Sequence, residues 1–522
     1  MANKHGVFIY EEGTALTVPQ ESSAGLQVVV GTAPVNMAED PSSVVNVPIL
    51  ANSAAEAMQA LGYSKDFKKY TLCASMYATA NLYSVAPVVY INVLDPTRHK
   101  KAMATVTVAV SDMEAVVEQT DILKAGLSVA IPLTAAAGAG EGSASGDGAD
   151  LDGEGSGGSS QQGAQVEEGS LTLTEGTDYT LGFDSDGYLV ITLIATGAGA
   201  SATSLLVSGS QLDPSAVTKD DIIGAVDVST GKETGMEVIR QVYPKLNLVP
   251  GILLAPYWSQ VPEVGIALCA KAPNINGVFK AMAFVDIPTS GAYGATKYTD
   301  VKTAKESCGF TSEFCVACWP CVQIGEIILP YSVVAAARTA YYDGTNEDVP
   351  SRSPSNIGLA ITGTCLEDGT EVTLDQDQAT TVGEFGVMTV TNINGFKMWG
   401  NHTACYPGAS DAKDIWISVR RMFNWQGNNF ILTYFDRVDD PMDYRLIENI
   451  VDSENIRLAA YTPEHLAGAS IEYLESDNPA TDILAGRVTF RQHIAPYTPA
   501  ETINNILNYD TGMLQAALLG GE

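Results

Sequence analysis

The run Cys315-Val-Ala-Cys-Trp-Pro-Cys321 carries three thiols at C-x2-C-x2-C spacing, with Cys308 upstream as a fourth candidate ligand. Thiolates so spaced can hold zinc or cycle between thiol and disulfide. The second C-x2-C pair of common zinc layouts is missing, however. The same run also reads as a buried strand, with Cys315 and Cys318 on opposite faces. Together with Cys73, Cys269, Cys365 and Cys405 these residues make eight cysteines. In a long chain without an export signal they are expected as reduced, buried thiols that pack as small apolar groups.

Other constellations point the same way. Asp184-Ser-Asp-Gly187 resembles part of a calcium loop but lacks the remaining acids and the closing Glu, so a hairpin turn is expected. The five histidines, His5, His99, His402, His465 and His493, all lie outside 216–400. A Ser-His-Asp or Cys-His arrangement confined to that block is therefore excluded, since the nucleophile needs a base beside it. The Gly/Ser-rich tract 135–165 has no Lys-Ser/Thr ending and is not a phosphate loop. The expectation is a chain without catalytic residues, metal or cofactor.

The elements that would position these residues alternate in kind. Residues 6–12 are strand-like and 14–25 form an extended polar arm. A buried strand at 26–30, helices at 53–61 and 68–82 and a strand at 87–93 make an α/β pattern. From 101 to 215 the period drops to two, with Gly/Asp turns, which predicts an inserted β-sandwich whose tract 135–165 is a surface loop. The α/β pattern resumes with a capped helix at Thr218, strands at 250–256, 279–285 and 314–322, and helices at 261–272 and 333–342.

The last part, 401–522, reads as α+β. Residues 415–423 are ambiguous between strand and helix. A helix at 444–459 is expected, with Ile447, Ile450, Val451 and Leu458 on one face. Alternating runs at 471–474 and 488–494 predict a hairpin with a long loop, and 502–509 a last strand. The expected domains are an arm 1–24, an α/β core from 25–100 and 216–400, the sandwich 101–215, and a C-terminal domain 401–522 ending in an arm 500–522.

Composition is globular, with 46% hydrophobic and 17% charged residues. Length suggests roughly three or four domains. No stretch approaches the roughly eighteen apolar residues of a membrane span, and the first residues are read as an unexported start. The net charge of −33, from 61 acids against 28 bases, argues against nucleic-acid binding. It suits a protein kept soluble at high concentration.

Several segments, in order, resemble the contractile phage tail sheath family. They are the opening His5-Gly-Val-Phe-Ile-Tyr-Glu-Glu, Ser23-Ala-Gly-Leu-Gln-Val-Val-Val-Gly-Thr-Ala-Pro, and Leu173-Thr-Glu-Gly-Thr-Asp-Tyr-Thr with Phe183-Asp-Ser-Asp-Gly. Val333 to Arg338 with Ser353-Pro-Ser-Asn follows, then Gly395-Phe-Lys-Met-Trp-Gly-Asn-His-Thr, Val419-Arg-Arg and Pro499-Ala-Glu-Thr-Ile. Two features depart from the family pattern: the tract 135–165, and His402 where an Arg is expected.

The resemblance implies a subtilisin-like α/β core without its catalytic residues, in a non-enzymatic subunit of a virion tail or phage-tail-like particle assembled in the host bacterial cytoplasm. Subunits would stack as hexameric rings, or a six-start helix, around a tail tube protein, with baseplate and tail terminator or collar proteins as further partners. Contraction would drive the tube through the host envelope, with no nucleic acid bound and no membrane insertion. Val7, Phe8, Ile9 and Tyr10 at one end, and Ile503, Ile506, Leu507 and Tyr509 at the other, would be strand donors between subunits. Ile471, Tyr473, Val488, Phe490 and Ile494 would form the receiving hairpin. Lys413, Arg420, Arg421, Arg437, Arg445 and Arg457 would be candidates for an acidic tube surface. An R-type bacteriocin shares this mechanism, and a β-rich surface adhesin is the alternative from another class.

Overall fold

A computed structural model describes residues 22–132, 170–184 and 186–519. The expected donor Val7–Tyr10 and the whole tract 135–165 lie outside them. By contacts the chain divides into two compact units, 1–29 with 77–89 and 236–522, and 30–76 with 90–235. This division differs from the expected boundaries: 401–522 groups with the α/β strands, and 30–76 with the inserted segment.

The first unit is organised by strands whose sequences are nearly unbroken apolar runs. They are β1 (Gln27–Gly31), β2 (Val88–Asn92), β3 (Ile252–Leu254), β4 (Met282–Asp286), β5 (Cys315–Cys318), β6 (Val387–Asn392) and β7 (Phe396–Trp399). Their order is β7-β6-β5-β4-β3-β1-β2, and the unit boundary passes through β1 and β2. The pairs β1–β3, β3–β4, β4–β5 and β5–β6 are parallel, for example Val28 with Leu253 and Phe284 with Val316, while β6 and β7 are antiparallel. All residues of β3, β4 and β5 are buried. Such runs suit parallel strands covered on both faces, where alternation has no purpose.

Helices α1 (Pro262–Lys271) and α2 (Val301–Cys308) connect successive parallel strands, and α3 (Tyr331–Gly344) and α4 (Gln376–Glu384) follow β5. Ten residues of α3 are buried, among them Ala335, Ala336 and Ala337. Alanine favours the helix and lets it lie close to the sheet. The expected strand 314–322 is divided: β5 ends at Cys318, and Cys321–Ile324 enters a separate antiparallel sheet with Ile327–Leu329 and Gly363–Cys365.

The C-terminal part contains α5 (Ile417–Tyr434), α6 (Tyr444–Ala460), and the hairpin of β8 (Leu466–Glu472) and β9 (Arg491–Pro496). The ambiguous run 415–423 is thus helical. The expected strand 502–509 is not formed; those residues have no secondary structure and precede a short helix, Thr511–Leu518. A strand needs an edge to bond to, and none is paired with it among the described residues.

In the second unit, two small antiparallel sheets share one apolar cluster. One runs Lys100–Ala109, Ser204–Leu212, Ser128–Pro132, Ser170–Thr172; the other Glu114–Val117, Leu189–Leu193, Tyr179–Phe183. Val117, Val129, Ile191, Leu205 and Val207 meet in the cluster, and the alternating burial of Leu189–Leu193 is the period-two pattern of its sequence. Pro132 and Ser170 are cross-strand partners. The Asp184 carboxylate accepts from the backbone N–H of Asp186 and Tyr188 at 2.9 and 2.8 Å, which makes it a turn former. The expected N-cap at Thr218 is present, as part of a capping box with Asp221. No helix among the described residues is long and apolar enough to cross a membrane.

Candidate functional site

The carboxyl ends of parallel strands are where α/β folds place their chemistry. Asp286, the last residue of β4, is buried there. Its carboxylate accepts from Ser332 N at 2.8 Å, from Ser259 Oγ at 3.1 Å, and from Ser332 Oγ. Burial pushes its pKa up to about 6 against these hydrogen bonds. All these bonds run to serines and a backbone N–H, so the group caps the start of α3 and anchors it to the sheet. The cysteines are dispersed: Cys315 and Cys318 lie in β5, Cys308 ends α2, and Cys321 faces Cys365 across the small antiparallel sheet. Among the described residues no three His, Cys, Asp or Glu side chains gather as metal ligands.

The unfinished surfaces of the first unit lie near its C-terminus. The hairpin of β8 and β9 is a two-stranded sheet among the described residues. In β9 burial alternates, with Gln492, Ile494 and Pro496 half-buried and Arg491, His493 and Ala495 exposed. Ile471 is buried, and Tyr473 and Phe490, just outside the strands, meet edge-on at 6.2 Å; Val488 is half-buried beside them. On the outer side of β8 the Asn455 side chain takes both backbone groups of Ile471, at 2.9 and 3.0 Å, as a neighbouring strand would. The outer edge of β9 has no such cover among the described residues, and an open edge is a template for another strand.

Beyond β9 the arm leaves Ile503, Ile506, Leu507 and Tyr509 between 79% and 87% exposed. Four large apolar side chains so exposed within seven residues are unusual on a free surface.

The six basic residues separate into two groups. Arg421 is buried, bonded bidentately to Asp343 and at 3.2 Å to the carbonyl of Ala24. Arg420 is buried on Asp414 at 3.1 Å and over the ring of Phe314. Arg457 is buried on Glu454, which also accepts from Gln426, Tyr434 and Gln492. Arg457, through Glu454, joins α5, α6 and β9, and Arg421 joins α5 to α3; all three guanidiniums are buried and bonded within the chain, and the carboxylates of Asp343 and Glu454 would be costly to bury without them. Lys413, on Asp414 at 2.7 Å, and Arg437, 3.6 Å from Asp440, are partly exposed, and Arg445 is exposed.

The base of the arm passes a buried aromatic stack where sequence reasoning saw only a departure from the family pattern. His402 lies stacked between Tyr406 and Trp416, at centroid distances of 3.8 and 4.6 Å, and its Nε2 is 3.7 Å from Glu501 of the arm. Ninety-nine residues separate the two, so no local spacing could have joined them; the aromatic residues around Trp399-Gly-Asn-His-Thr were the sole signal.

No family model matches the chain. It is 25% identical to the tail sheath protein of Burkholderia phage BcepMu, over 99% of this chain and 98% of that one. Its fold is similar to that in the cryo-EM structure of an extracellular contractile injection system, the PVC sheath complex in the contracted state. The TM-score is 0.54 at 12% identity, covering 99% of each chain. It is also similar to a chain of the anti-feeding prophage baseplate, with TM-score 0.51 at 12% identity, covering 98% of this chain and 100% of that one.

Proposed function

We propose that the chain is the sheath subunit of a phage tail or tail-like injection particle, a member of the contractile tail sheath proteins, which are structural and non-enzymatic. The observation that carries this reading is the correspondence with a phage tail sheath protein over essentially the whole chain. Copies of the subunit polymerise as stacked hexameric rings, equivalent to a six-start helix, around a tail tube. They meet a baseplate at one end and a terminator or collar protein at the other. Shortening of the lattice drives the tube through the host envelope, and repacking of interfaces between two states supplies the work.

Within this reading the α/β core is a subtilisin-like scaffold without catalytic residues, and the paired antiparallel sheets are the inserted sandwich on the particle's outside. Subunits are tied by strand addition. Residues Val7–Tyr10 and 503–509 of neighbours complete the sheet of β8 and β9. The open edge of β9 and the exposed apolar arm support this. A five-residue strand so bonded contributes a few kcal/mol, at about 1 kcal/mol net per hydrogen bond. Lys413, Arg437 and Arg445 are the basic residues left for the tube.

The test is negative-stain electron microscopy of the purified chain, alone and co-expressed with the tube protein, beside a version lacking residues 1–15. Hollow striated tubes from the full chain and none from the truncation are expected. A full chain that forms no tubes under either condition would overturn the proposal.

A further inference from the structure

Part of the buried polar face of α5 bonds to main chain, and it does so at two strand entrances. Just before β4, Asn424 Nδ2 donates to the Ala281 carbonyl at 3.2 Å, and the Asn428 side chain takes both backbone groups of Lys280, at 3.0 and 2.8 Å. Beside that row, Arg421, Trp425 and Asn429 follow one another at four-residue spacing on one side of the helix and meet the chain just before β1. Arg421 donates to the Ala24 carbonyl at 3.2 Å, and Trp425 Nε1 to the Ser22 carbonyl at 3.0 Å. Asn429 Oδ1 accepts from Ser22 N at 2.6 Å and from Ser22 Oγ at 2.9 Å. Ser22, Ala24 and the three helix residues are all buried. The fit is close, since a Cβ on Gly251 would overlap the Ala24 carbonyl oxygen.

The two grips differ in what they hold. Lys280 and Ala281 lie between α1 and β4, so the body fixes them from both sides. Ser22 is where residues 1–21 join the body, so the bonds on its N–H, carbonyl and hydroxyl set where that chain leaves.

We propose that Trp425 and Asn429 are positioning residues for the N-terminal arm: α5 grips the main chain at Ser22 and so fixes the point from which residues 1–21 depart. The same helix also carries the hairpin. Ala24, Met422, Trp425 and Leu466 of β8 share one apolar cluster, and Gln426 of α5 and Gln492 of β9 donate to one oxygen of Glu454. The grip is a property of the single chain, and only its use rests on the sheath reading. A pull on the arm that a subunit donates then reaches the hairpin in which it receives a neighbour's strand through α5, without crossing the central sheet.

The experiment is cleavage of the Glu21–Ser22 bond by a glutamate-specific protease in the unassembled full-length chain, followed by mass spectrometry as a new N-terminus at Ser22. The N–H of that bond is the one held by Asn429, so the grip must open before the bond can enter a protease. Rates are normalised to a free peptide of residues 16–28. Cleavage after Glu326, exposed at a hairpin turn of the same unit, is the internal reference.

In the parent the bond should be cut more slowly than in the peptide by roughly tenfold or more. Trp425→Phe, which keeps an aromatic ring but loses the donor, should speed cleavage roughly fivefold, the worth of one hydrogen bond. Asn429→Ala removes the acceptor of two bonds and should speed it roughly ten- to thirty-fold. Neither should change cleavage after Glu326, which a general loosening of the unit would raise as well. A parent bond cut as fast as the peptide, a folded Asn429→Ala cut at the parent rate, or equal acceleration at both sites would overturn the proposal. Should Asn429→Ala fail to fold, Trp425→Phe carries the test by the same criteria. The readout needs no assembly: a chain that forms no tubes but shows this pattern sinks the sheath reading and leaves the grip standing, and tubes from a chain whose bond is unprotected do the reverse.

Discussion

In the central sheet, β4 buries every residue from Met282 to Asp286 and has a parallel neighbour on each side. In the terminal hairpin, β9 exposes every second residue and has a neighbour on one side among the described residues. Their compositions differ, Met-Ala-Phe-Val-Asp against Arg-Gln-His-Ile-Ala-Pro, but propensity says nothing of where a partner strand comes from. They differ most in where their partners come from. The strands of the central sheet find theirs within the chain, through crossover helices that cover both faces. The hairpin stands with one edge capped by the Asn455 side chain and the other open, beside an arm whose apolar side chains face solvent. One region is finished by folding, while the other has bonding capacity left over.

That contrast predicts that changes in the interior should lower stability, and changes at the hairpin edge should spare it. The largest effect is expected at Arg421. Replacing it by Ala leaves Asp343 charged and buried without its partner and should cost about 3–5 kcal/mol, measured by chemical unfolding of the unassembled chain. A loss below about 1 kcal/mol would place the pair among exposed, weak ones.

A slightly smaller effect concerns Asp286, whose folded pKa of about 6 stands above the ordinary 3.8. The folded state then holds a proton that the unfolded state has released, so this residue's contribution is full below pH 3.8 and is lost as pH rises through 6. Asp286→Asn removes that dependence. Its stability relative to the parent should shift in its favour by roughly 3 kcal/mol between pH 4 and pH 7. A difference that stays constant across the range would mean that the carboxyl titrates normally.

The smallest effect on folding sharpens the comparison most. Because Asn455 takes both backbone groups of Ile471, that residue points away from β9, and the bonded pairs of the ladder alternate. Ile494, opposite Ala469, therefore also directs its N–H outward, away from β8. Ile494→Pro removes that donor without breaking the hairpin and should cost the unassembled chain about 1 kcal/mol. Tube formation should nevertheless fail. Normal tubes from this variant would show that β9 is not the receiving edge.

The parallel strands were legible because their apolar runs are long and bounded by turn residues, and the N-cap at Thr218 with its early acids was written in four consecutive residues. Helix α5 was ambiguous for a physical reason. It buries Arg420, Arg421, Asn424, Gln426, Asn428 and Asn429 alongside its apolar residues, so the apolar period is diluted. The groups that make such burial tolerable, Asp343, Glu454 and the carbonyls of Lys280 and Ala281, lie far away in sequence. For the same reason three of the six proposed surface cations proved to be interior. Residues 502–509 were read as a strand from their alternation, but alternation records a tendency to pair and not whether the same chain supplies the partner.

Pro132 and Ser170 face each other across two antiparallel strands, so the chain between them leaves and returns at one point of a sheet that is already bonded. Closing a loop on such a pair costs little more when it lengthens, about 0.6 kcal/mol per doubling. The apolar cluster of the small antiparallel sheets is formed by residues on either side of that span, such as Val129, Leu173 and Tyr179. For evolution this makes the position a place where length and composition can drift cheaply. For engineering it is a port whose two ends already lie side by side, which is the geometry an insertion needs.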